Sequence, residues 1–299
     1  MRRDQDTHWL QQAPISTQPK ANDRTTAMTA VHATDPRALA LACLTEASVG
    51  AKLELTAQAS QAIAAEGPWR DSIGSGRCPS MPEPGRPERP LLVAPRELSQ
   101  RKLNSVEGRA ALIHAVAHIE FNAINLAWDA VYRFPGMPDD YYRDWASVAA
   151  DEVRHFSLLQ TRLEQLGYQY GDLPAHNGLW QAAVATEHDV MVRMALVPRV
   201  LEARGLDVTP GMIERLSRVG DPDTVAALEL ILREEVRHVA IGSHWFAYLC
   251  GQRRIEPRST FLDLLQHSAG ALPRGPFNVS ARLAAGFSPE ELEALKNIS

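Results

Sequence analysis

Two hexapeptides with nearly the same sequence carry the side chains best suited to metal chemistry. Residues 151–156 read DEVRHF and residues 234–239 read EEVRHV. Each copy contains Glu-x-x-His, with Glu152 and His155 in the first and Glu235 and His238 in the second. Residues three apart on a helix share one face, so each pair can bind a metal ion from one side. One copy alone would carry little weight, whereas the duplication predicts a two-part metal site.

The spacing of the copies predicts two further ligands. The copies lie 83 residues apart, Glu120 precedes Glu152 by 32 residues, and Glu202 precedes Glu235 by 33. One Glu from each of two helices, with a Glu-x-x-His from each of two others, is the ligand set of ferritin-like di-iron and di-manganese bundles. The predicted metal ligands are therefore Glu120, Glu152, His155, Glu202, Glu235 and His238.

The donor types in this set indicate which metals it would bind. Carboxylate and imidazole without thiolate suit iron or manganese. Four glutamates offset the charge of two divalent ions, so we predict two iron ions, with manganese or a mixed manganese–iron pair as alternatives. The competing interpretation is a buried salt-bridge lattice with Arg154, Arg199 and Arg237. Such a lattice does not require the matched intervals of 32 and 33 residues, so the metal site is favoured.

Glu187 is the rival to Glu202 as the sixth ligand. If the loop at 167–177 is tight, antiparallel packing places Glu187 at the depth of the site. The repeat favours Glu202, because the residue 83 positions before Glu187 is Asn104, ahead of the first bundle helix. His118 and Arg199 are secondary candidates that would lie beside the ligands and orient them. For His118 a purely structural role is the alternative.

Composition and charge bound the class of protein. The chain has 299 residues, a net charge of −5 and three cysteines, none of them in a C-x-x-C pair. The charge argues against nucleic-acid binding through bulk electrostatics, although an RNA site on a local patch stays open. The cysteine pattern favours a reducing cytoplasm. No run of about 18 apolar residues is present, so we expect no membrane span.

The helical spacing of apolar residues and the positions of Pro and Gly predict one all-α domain. Together with the ligand pattern, they predict a ferritin-like four-helix bundle with extensions at both ends. The expected order is a disordered tail at 1–35, a leading helix at 36–66, a proline-rich arm at 67–106, the bundle at 107–250 and a C-terminal extension of short helices at 251–299. The bundle helices are predicted at 107–133, 139–166, 178–204 and 221–250. Pro198 should kink the third of them.

Several longer motifs resemble a known family. They are AHIE at 117–120, RF at 133–134, LPAHNGLW at 173–180, LEARGLD at 201–207 and PFN at 276–278. They are similar to the uncharacterised ferritin-like family filed as domain of unknown function 455, and the resemblance covers residues 36–295. It implies a ferritin-like bundle with a dinuclear metal centre and no particular reaction. By fold-level analogy, relatives in the wider superfamily include a tRNA hydroxylase, rubrerythrins and di-iron oxygenases.

The expected function is that of a non-haem di-iron oxidoreductase or oxygenase. Its reactants would be dioxygen or peroxide and an unidentified substrate, either a small molecule or a modified RNA. One alternative is a ferritin-like protein for iron storage or peroxide detoxification. Another is a non-enzymatic binding module that a metal stabilises. A homodimer is left open.

Overall fold

Helices make up the regular structure of this protein within the described residues, which in this computed structural model are 35–65, 69, 76, 78–98, 101–268 and 273–298. Residues 34–299 form one compact unit. The helices are α1 (Pro36–Thr45), α2 (Val49–Ala65), α3 (Val106–Arg133), α4 (Asp139–Gln165), α5 (Gly178–Ala185), α6 (Val190–Leu196), a π-helical segment (Val197–Glu202), α7 (Ala203–Arg218), α8 (Pro222–Arg253), α9 (Pro257–His267), α10 (Val279–Ala284) and α11 (Pro289–Ile298). The prediction of an all-α protein is confirmed.

Side-chain caps mark where the long helices begin. The Ser105 hydroxyl accepts a hydrogen bond from the Gly108 backbone N–H at 3.0 Å at the start of α3. The Asp221 carboxylate accepts one from the Thr224 N–H at 3.1 Å at the start of α8, where Pro222 occupies the first helical position. Both caps satisfy backbone donors that have no partner within the helix. The bounds of α3, α4 and α8 therefore fall close to those predicted.

The central packing brings α3 against α4, α4 against α8, and α8 against α7 and the π-helical segment. Helix α1 packs on α3, and α2 packs on α4. Aromatic side chains fill the space between these helices, and Phe121 of α3 lies 5.6 Å from Phe156 of α4, measured between ring centroids. This arrangement directs one face of each of the central helices towards a shared interior.

The N-terminal part of the chain departs from the prediction in two ways. The leading helix at 36–66 is two helices, because the chain is not helical between Thr45 and Val49. Asp35, which the sequence placed in a disordered tail, is buried and caps α1 by accepting the Arg37 backbone N–H at 2.8 Å. The predicted disorder of residues 1–34 lies outside the described residues.

The proline-rich arm is held by its backbone. The Val93 N–H donates to the Ala175 carbonyl at 2.8 Å, and the Ala175 N–H donates to the Leu91 carbonyl at 3.0 Å. The side chain of Leu91 is 60% exposed, so this apolar segment packs on the domain through its backbone and not through Leu91. The arm therefore attaches to the loop between α4 and α5 as a short parallel bridge.

The predicted third helix at 178–204 is the region that the sequence described least well. It is divided between α5, α6, the π-helical segment and α7, and α7 continues past the predicted end at residue 204 to Arg218. Pro198 lies in the π-helical segment, and the chain stays helical on both sides of it. Helices α9, α10 and α11 form the predicted C-terminal extension of short helices.

Helix α3 is long and apolar enough to cross a membrane, but 78% of its most apolar 18-residue window is buried inside the protein. Burial of this kind is typical of the core helix of a soluble protein.

Gly242 of α8 tests how tightly the π-helical segment is held. A Cβ at this position would lie 2.3 Å from the Cβ of Pro198, whereas a Cβ at Gly251 in the same helix would meet nothing within 4 Å. We expect Gly242→Ala to lower the free energy of unfolding by about 1–3 kcal/mol through overpacking. The matched Gly251→Ala should raise it by about 0.5–1 kcal/mol, because alanine favours the helix. Urea unfolding measures both, and equal effects would contradict this packing.

Candidate metal centre

The six predicted ligand residues lie on the helices that face the interior. Glu120 belongs to α3, the pair Glu152 and His155 to α4, Glu202 ends the π-helical segment, and the second pair belongs to α8. Glu152, His155 and His238 are fully buried, and Glu120 is 4% exposed. Burying an ionisable group lowers the stability of the folded protein unless the group is paired or bound to an ion.

The imidazole of His155 faces three carboxylates through one nitrogen. Its Nδ1 lies 3.3 Å from Glu120 Oε2, 3.2 Å from Glu152 Oε2 and 3.6 Å from Glu235 Oε1. The ligand atoms of these four residues all lie within 4.8 Å of one another. This spacing is that of a group of atoms that can share one or two metal ions.

His238 approaches the same carboxylates from the other side. Its Nδ1 lies 2.9 Å from Glu152 Oε1 and 3.4 Å from Glu235 Oε1. The 2.9 Å contact lacks hydrogen-bond geometry, so both His238 Nδ1 and Glu152 Oε1 are buried without a hydrogen-bond partner in the described part of the chain. Glu152 therefore lies between the two imidazoles. Its Oε1 atom and the Nδ1 atom of His238 are close together but are not oriented to form a hydrogen bond with each other.

Glu202, the sixth predicted ligand, lies at the end of the π-helical segment. The residue is partly exposed, but its Oε2 is buried and has no hydrogen-bond partner among the described residues. Burial and the neighbouring charges of Glu235 and Glu152 raise the pKa of Glu202 to about 8. The charges of Glu235 and Glu152 act on Glu202, but Glu202 is not among the four residues whose ligand atoms lie within 4.8 Å of one another, so its role as the sixth ligand stays a prediction.

Glu187, the rival candidate, lies elsewhere. Its Oε2 is 3.3 Å from Nη1 of Arg133, and Arg133 also forms a hydrogen-bonded ion pair with the buried Asp129 at 2.7 Å. Asp129 in turn accepts a hydrogen bond from Arg193 at 2.6 Å. Glu187 therefore belongs to a separate ion-pair network between α3 and α6, and the depth argument that favoured it is wrong because 178–204 is not one continuous helix.

The two other secondary candidates also contact different residues. His118 Nδ1 lies 2.9 Å from the Tyr170 hydroxyl, and its Nε2 lies 3.2 Å from the His176 carbonyl oxygen. These contacts attach α3 to the loop between α4 and α5, so His118 has the structural role that was its alternative. Arg199 donates to Glu291 Oε1 at 2.7 Å, which places it beside α11. Neither residue orients a ligand of the cluster through these contacts.

The outer nitrogens of the two histidines bind carboxylates in a reciprocal pattern. Nε2 of His155 lies 2.8 Å from Glu234 Oε2, and Nε2 of His238 lies 3.1 Å from Asp151 Oδ2. Each acid is the residue directly before the Glu of the opposite copy. A carboxylate on the outer nitrogen fixes the tautomer that leaves the inner nitrogen free to bind a metal. The sequence analysis did not predict this role of Asp151 and Glu234, although an acidic residue at the first position of both hexapeptides could have indicated it.

Arg154 and Arg237 cover the outer carboxylates. Arg154 donates to Asp151 at 3.0 Å and forms an ion pair with Glu234, while Arg237 forms an ion pair with Asp151. Both guanidinium side chains are about half exposed, at 48% and 46%. The salt-bridge lattice that competed with the metal site is therefore present in part, but it lies outside the inner carboxylates and does not neutralise them.

Protonation within the cluster shows how much charge it holds. Burial and the charge of Glu152 raise the pKa of Glu120 well above its ordinary value. Burial favours neutral His155, but hydrogen bonds to Glu120 and Glu152 outweigh it and raise the pKa of His155 to about 11. Protons thus compensate the inner carboxylates in the metal-free protein. Divalent ions would replace these protons, and the inner atoms without hydrogen-bond partners fit that chemistry.

The fold and the cluster define an all-helical protein with a duplicated carboxylate–imidazole centre. The chain belongs to the family described as Protein of unknown function (DUF455), whose model matches residues 45–293. It is similar to an uncharacterized protein of Haemophilus influenzae, with 47% identity over 214 residues that cover 69% of this chain and 74% of the relative. No solved structure matches the chain significantly. The family membership agrees with the resemblance seen in the motifs.

The outer carboxylates give a test of the reciprocal pattern. Asp151→Asn and Glu234→Gln should each weaken iron binding by about 10- to 100-fold, because the opposite histidine loses the acceptor that orients it. Glu229→Gln, an exposed position on α8, is the control and should bind as the natural chain does. Anaerobic iron titration measures the three affinities. Unchanged affinity in both test variants would contradict a role for the outer carboxylates.

Glu202 gives the metal-free protein a particular pH dependence. Because its pKa is raised from 4.5 to about 8, the folded state holds a proton that the unfolded chain releases. Its contribution to stability is complete below pH 4.5 and is lost as the pH rises to about 8, at a rate of at most about 1.4 kcal/mol per pH unit. Urea unfolding of chelator-treated protein at several pH values should show a steeper loss in the natural chain than in Glu202→Gln, in which Glu120, whose pKa is also raised, still contributes. Parallel pH profiles would contradict the assignment.

Proposed function

We propose that this protein is a non-haem di-iron oxidoreductase with a ferritin-like four-helix bundle. The observation that carries the proposal is the pair of Glu-x-x-His motifs on α4 and α8, which face each other with both Nδ1 atoms inward. One further carboxylate comes from α3 and one from the π-helical segment, as in ferritin-like centres. The proposed iron ligands are Glu120, Glu152, His155, Glu202, Glu235 and His238.

The bundle itself is inferred from this ligand set and from the packing order. Helix α3 packs on α4, α4 on α8, and α8 on the π-helical segment and α7. A bundle whose four members each supply one part of the ligand set satisfies both observations. Helices α1 and α2 pack outside it on α3 and α4, where they thicken the wall around the centre.

The protein's own groups prepare the site for redox chemistry. Asp151 and Glu234 hold the outer histidine nitrogens at 3.1 and 2.8 Å, so the inner nitrogens keep their lone pairs directed inward. Glu152 contacts both imidazoles and would hold the metal together with them. Two bound irons supply the oxidising chemistry with dioxygen or peroxide. The protein contributes burial, which excludes water from the centre.

Glu202 is the carboxylate that we propose to move during the reaction. Glu152 contacts both histidines, and Glu120 contacts His155. In contrast, Glu202 Oε2 has no hydrogen-bond partner among the described residues. It also ends the π-helical segment, and π-helical turns are frequent at functional sites. A carboxylate held by fewer contacts shifts most easily to open a coordination position for a reactant.

The substrate is proposed as an organic small molecule in a reducing cytoplasm. The three cysteines are buried free thiols, as expected where thiols stay reduced. A modified RNA is the alternative substrate. The half-exposed guanidinium groups of Arg154 and Arg237 are already paired with Asp151 and Glu234, so this face offers few free cations to a phosphate backbone.

Iron stoichiometry tests the ligand set. The anaerobically purified protein should bind two irons per chain, and Glu202→Gln should lower the occupancy or weaken at least one site about tenfold or more, since a carboxylate ligand is lost. Glu187→Gln is the matched control from the neighbouring helical region and should keep two irons. If Glu187→Gln loses iron and Glu202→Gln does not, the ligand assignment is wrong.

Oxygen exposure separates the functions. An oxidoreductase predicts two irons per chain and a visible-spectrum change that dioxygen induces. Hundreds of irons per assembly would indicate storage instead. A protein that binds no iron, and whose thermal stability is the same in a Glu152→Ala and Glu235→Ala double variant, would contradict both a redox enzyme and a store.

A further inference from the structure

The outer face of α3 is apolar where a helix exposed to solvent is normally charged. Residues 110–119 contain no Asp, Glu, Lys or Arg. Ala115 is exposed, and the side chain of Ile119 is 44% exposed. A solvated helix face carries polar residues, and contiguous exposed apolar surface marks a binding site. The inward face of the same helix bears Glu120, so this outer strip is separate from the metal centre.

Two adjoining cavities lie along this strip. One of about 760 Å³ is bounded by residues 101–104, the start of α3 and the end of α7. A second of about 160 Å³ continues towards Leu179 and Ile119. The two cavities share Arg101, Ala111 and Ala115, so they form one groove, which we call the α3 groove. The volume of the first cavity is in the range of ligand pockets.

One end of the α3 groove is strongly cationic. Four basic side chains line the larger cavity and no carboxylate lines it; they are Arg101, Lys102, Arg215 and Arg218. Arg101 forms an ion pair with Glu107, and Arg218 lies 3.2 Å from Glu214. Lys102 and Arg215 have no ion-pair partner in the part of the chain that the structure describes. The groove therefore has two uncompensated positive charges beside an apolar trough.

We propose that the α3 groove binds a free single-chain amphiphile with an anionic head, a fatty carboxylate or an alkyl phosphate. The head lies between Lys102 and Arg215, and the alkyl chain follows α3 from Gly108 to Ile119. These eleven helical steps span about 16 Å, which accommodates a chain of medium length. Charge complementarity sets the orientation, and burial of methylene groups supplies most of the affinity.

Titration calorimetry with the full-length protein tests the groove. Dodecanoate and dodecyl phosphate, each below its micelle concentration, should bind saturably with one site per chain. Dodecyltrimethylammonium has the same chain with a cationic head and should bind about tenfold more weakly or worse, because it loses charge-assisted contacts. Equal binding of the cationic and anionic amphiphiles, or no saturable binding of either anion, would overturn the proposal.

Variants locate the ligand. Ala115→Glu places a carboxylate in the trough at an exposed helical position that tolerates glutamate, and it should weaken dodecanoate binding far more than the neutral, equally large Ala115→Gln. Arg215→Gln should weaken it about fivefold, whereas Arg233→Gln, an exposed cation on α8, should have no effect. Thermal unfolding confirms that the variants are folded. Natural affinity in both Ala115→Glu and Arg215→Gln would overturn the assignment.

A vesicle arm separates a free amphiphile from a membrane surface. The protein should remain in the supernatant when it is sedimented with phosphatidylglycerol vesicles at physiological salt, while it still binds dodecanoate in solution. Co-sedimentation that depends on Lys102 and Arg215, without binding of free dodecanoate, would overturn the proposal of a free ligand. Iron content does not enter this test, so its outcome is independent of the proposed redox function.

Discussion

The burial of several carboxylates at one point between α3, α4 and α8 is the constraint on which the rest of this structure depends. Glu120 and Glu152 are almost completely buried, and isolated charges at such depth are strongly unfavourable. In the metal-free protein the compensation comes from the protonated histidines and from a raised pKa at Glu120 and Glu202. Clusters of buried ionisable groups with perturbed pKa values are typical of functional sites.

The duplicated hexapeptide provides each of the two histidines with a carboxylate that orients its imidazole ring. Each copy supplies an inner glutamate, an inner imidazole nitrogen and an acid that holds the imidazole of the other copy. One sequence pattern therefore supplies both an inner glutamate and the acid that supports the imidazole of the other copy. Arg154 and Arg237 then compensate the supporting acids near the surface, so the outer layer needs no ion.

The C-terminal extension bears on the centre through the π-helical segment. Arg199 of this segment donates to Glu291 of α11, and its guanidinium lies 4.9, 4.1 and 4.6 Å from the ring centroids of Phe246, Phe261 and Phe287. Gly242 of α8 allows Pro198 to approach closely. These contacts hold the backbone three or four residues before Glu202, while its carboxylate stays without a hydrogen-bond partner among the described residues. These contacts fix the segment that ends at Glu202.

The sequence alone determined the helical class, the bounds of α3, α4 and α8, and five residues of the central cluster on regular helices, because hydrophobic period and Glu-x-x-His spacing are local properties of a helix. The repeat also favoured Glu202 over Glu187 as the sixth ligand, which stays a prediction, and the structure pairs Glu187 with Arg133. Only the tertiary structure showed the features that depend on contacts between distant parts of the chain. The π-helical segment, the continuation of α7 and the break between α1 and α2 depend on packing against other elements. The roles of Asp151 and Glu234 exist only because α4 and α8 meet, since each acid contacts a histidine about 80 residues away in the chain.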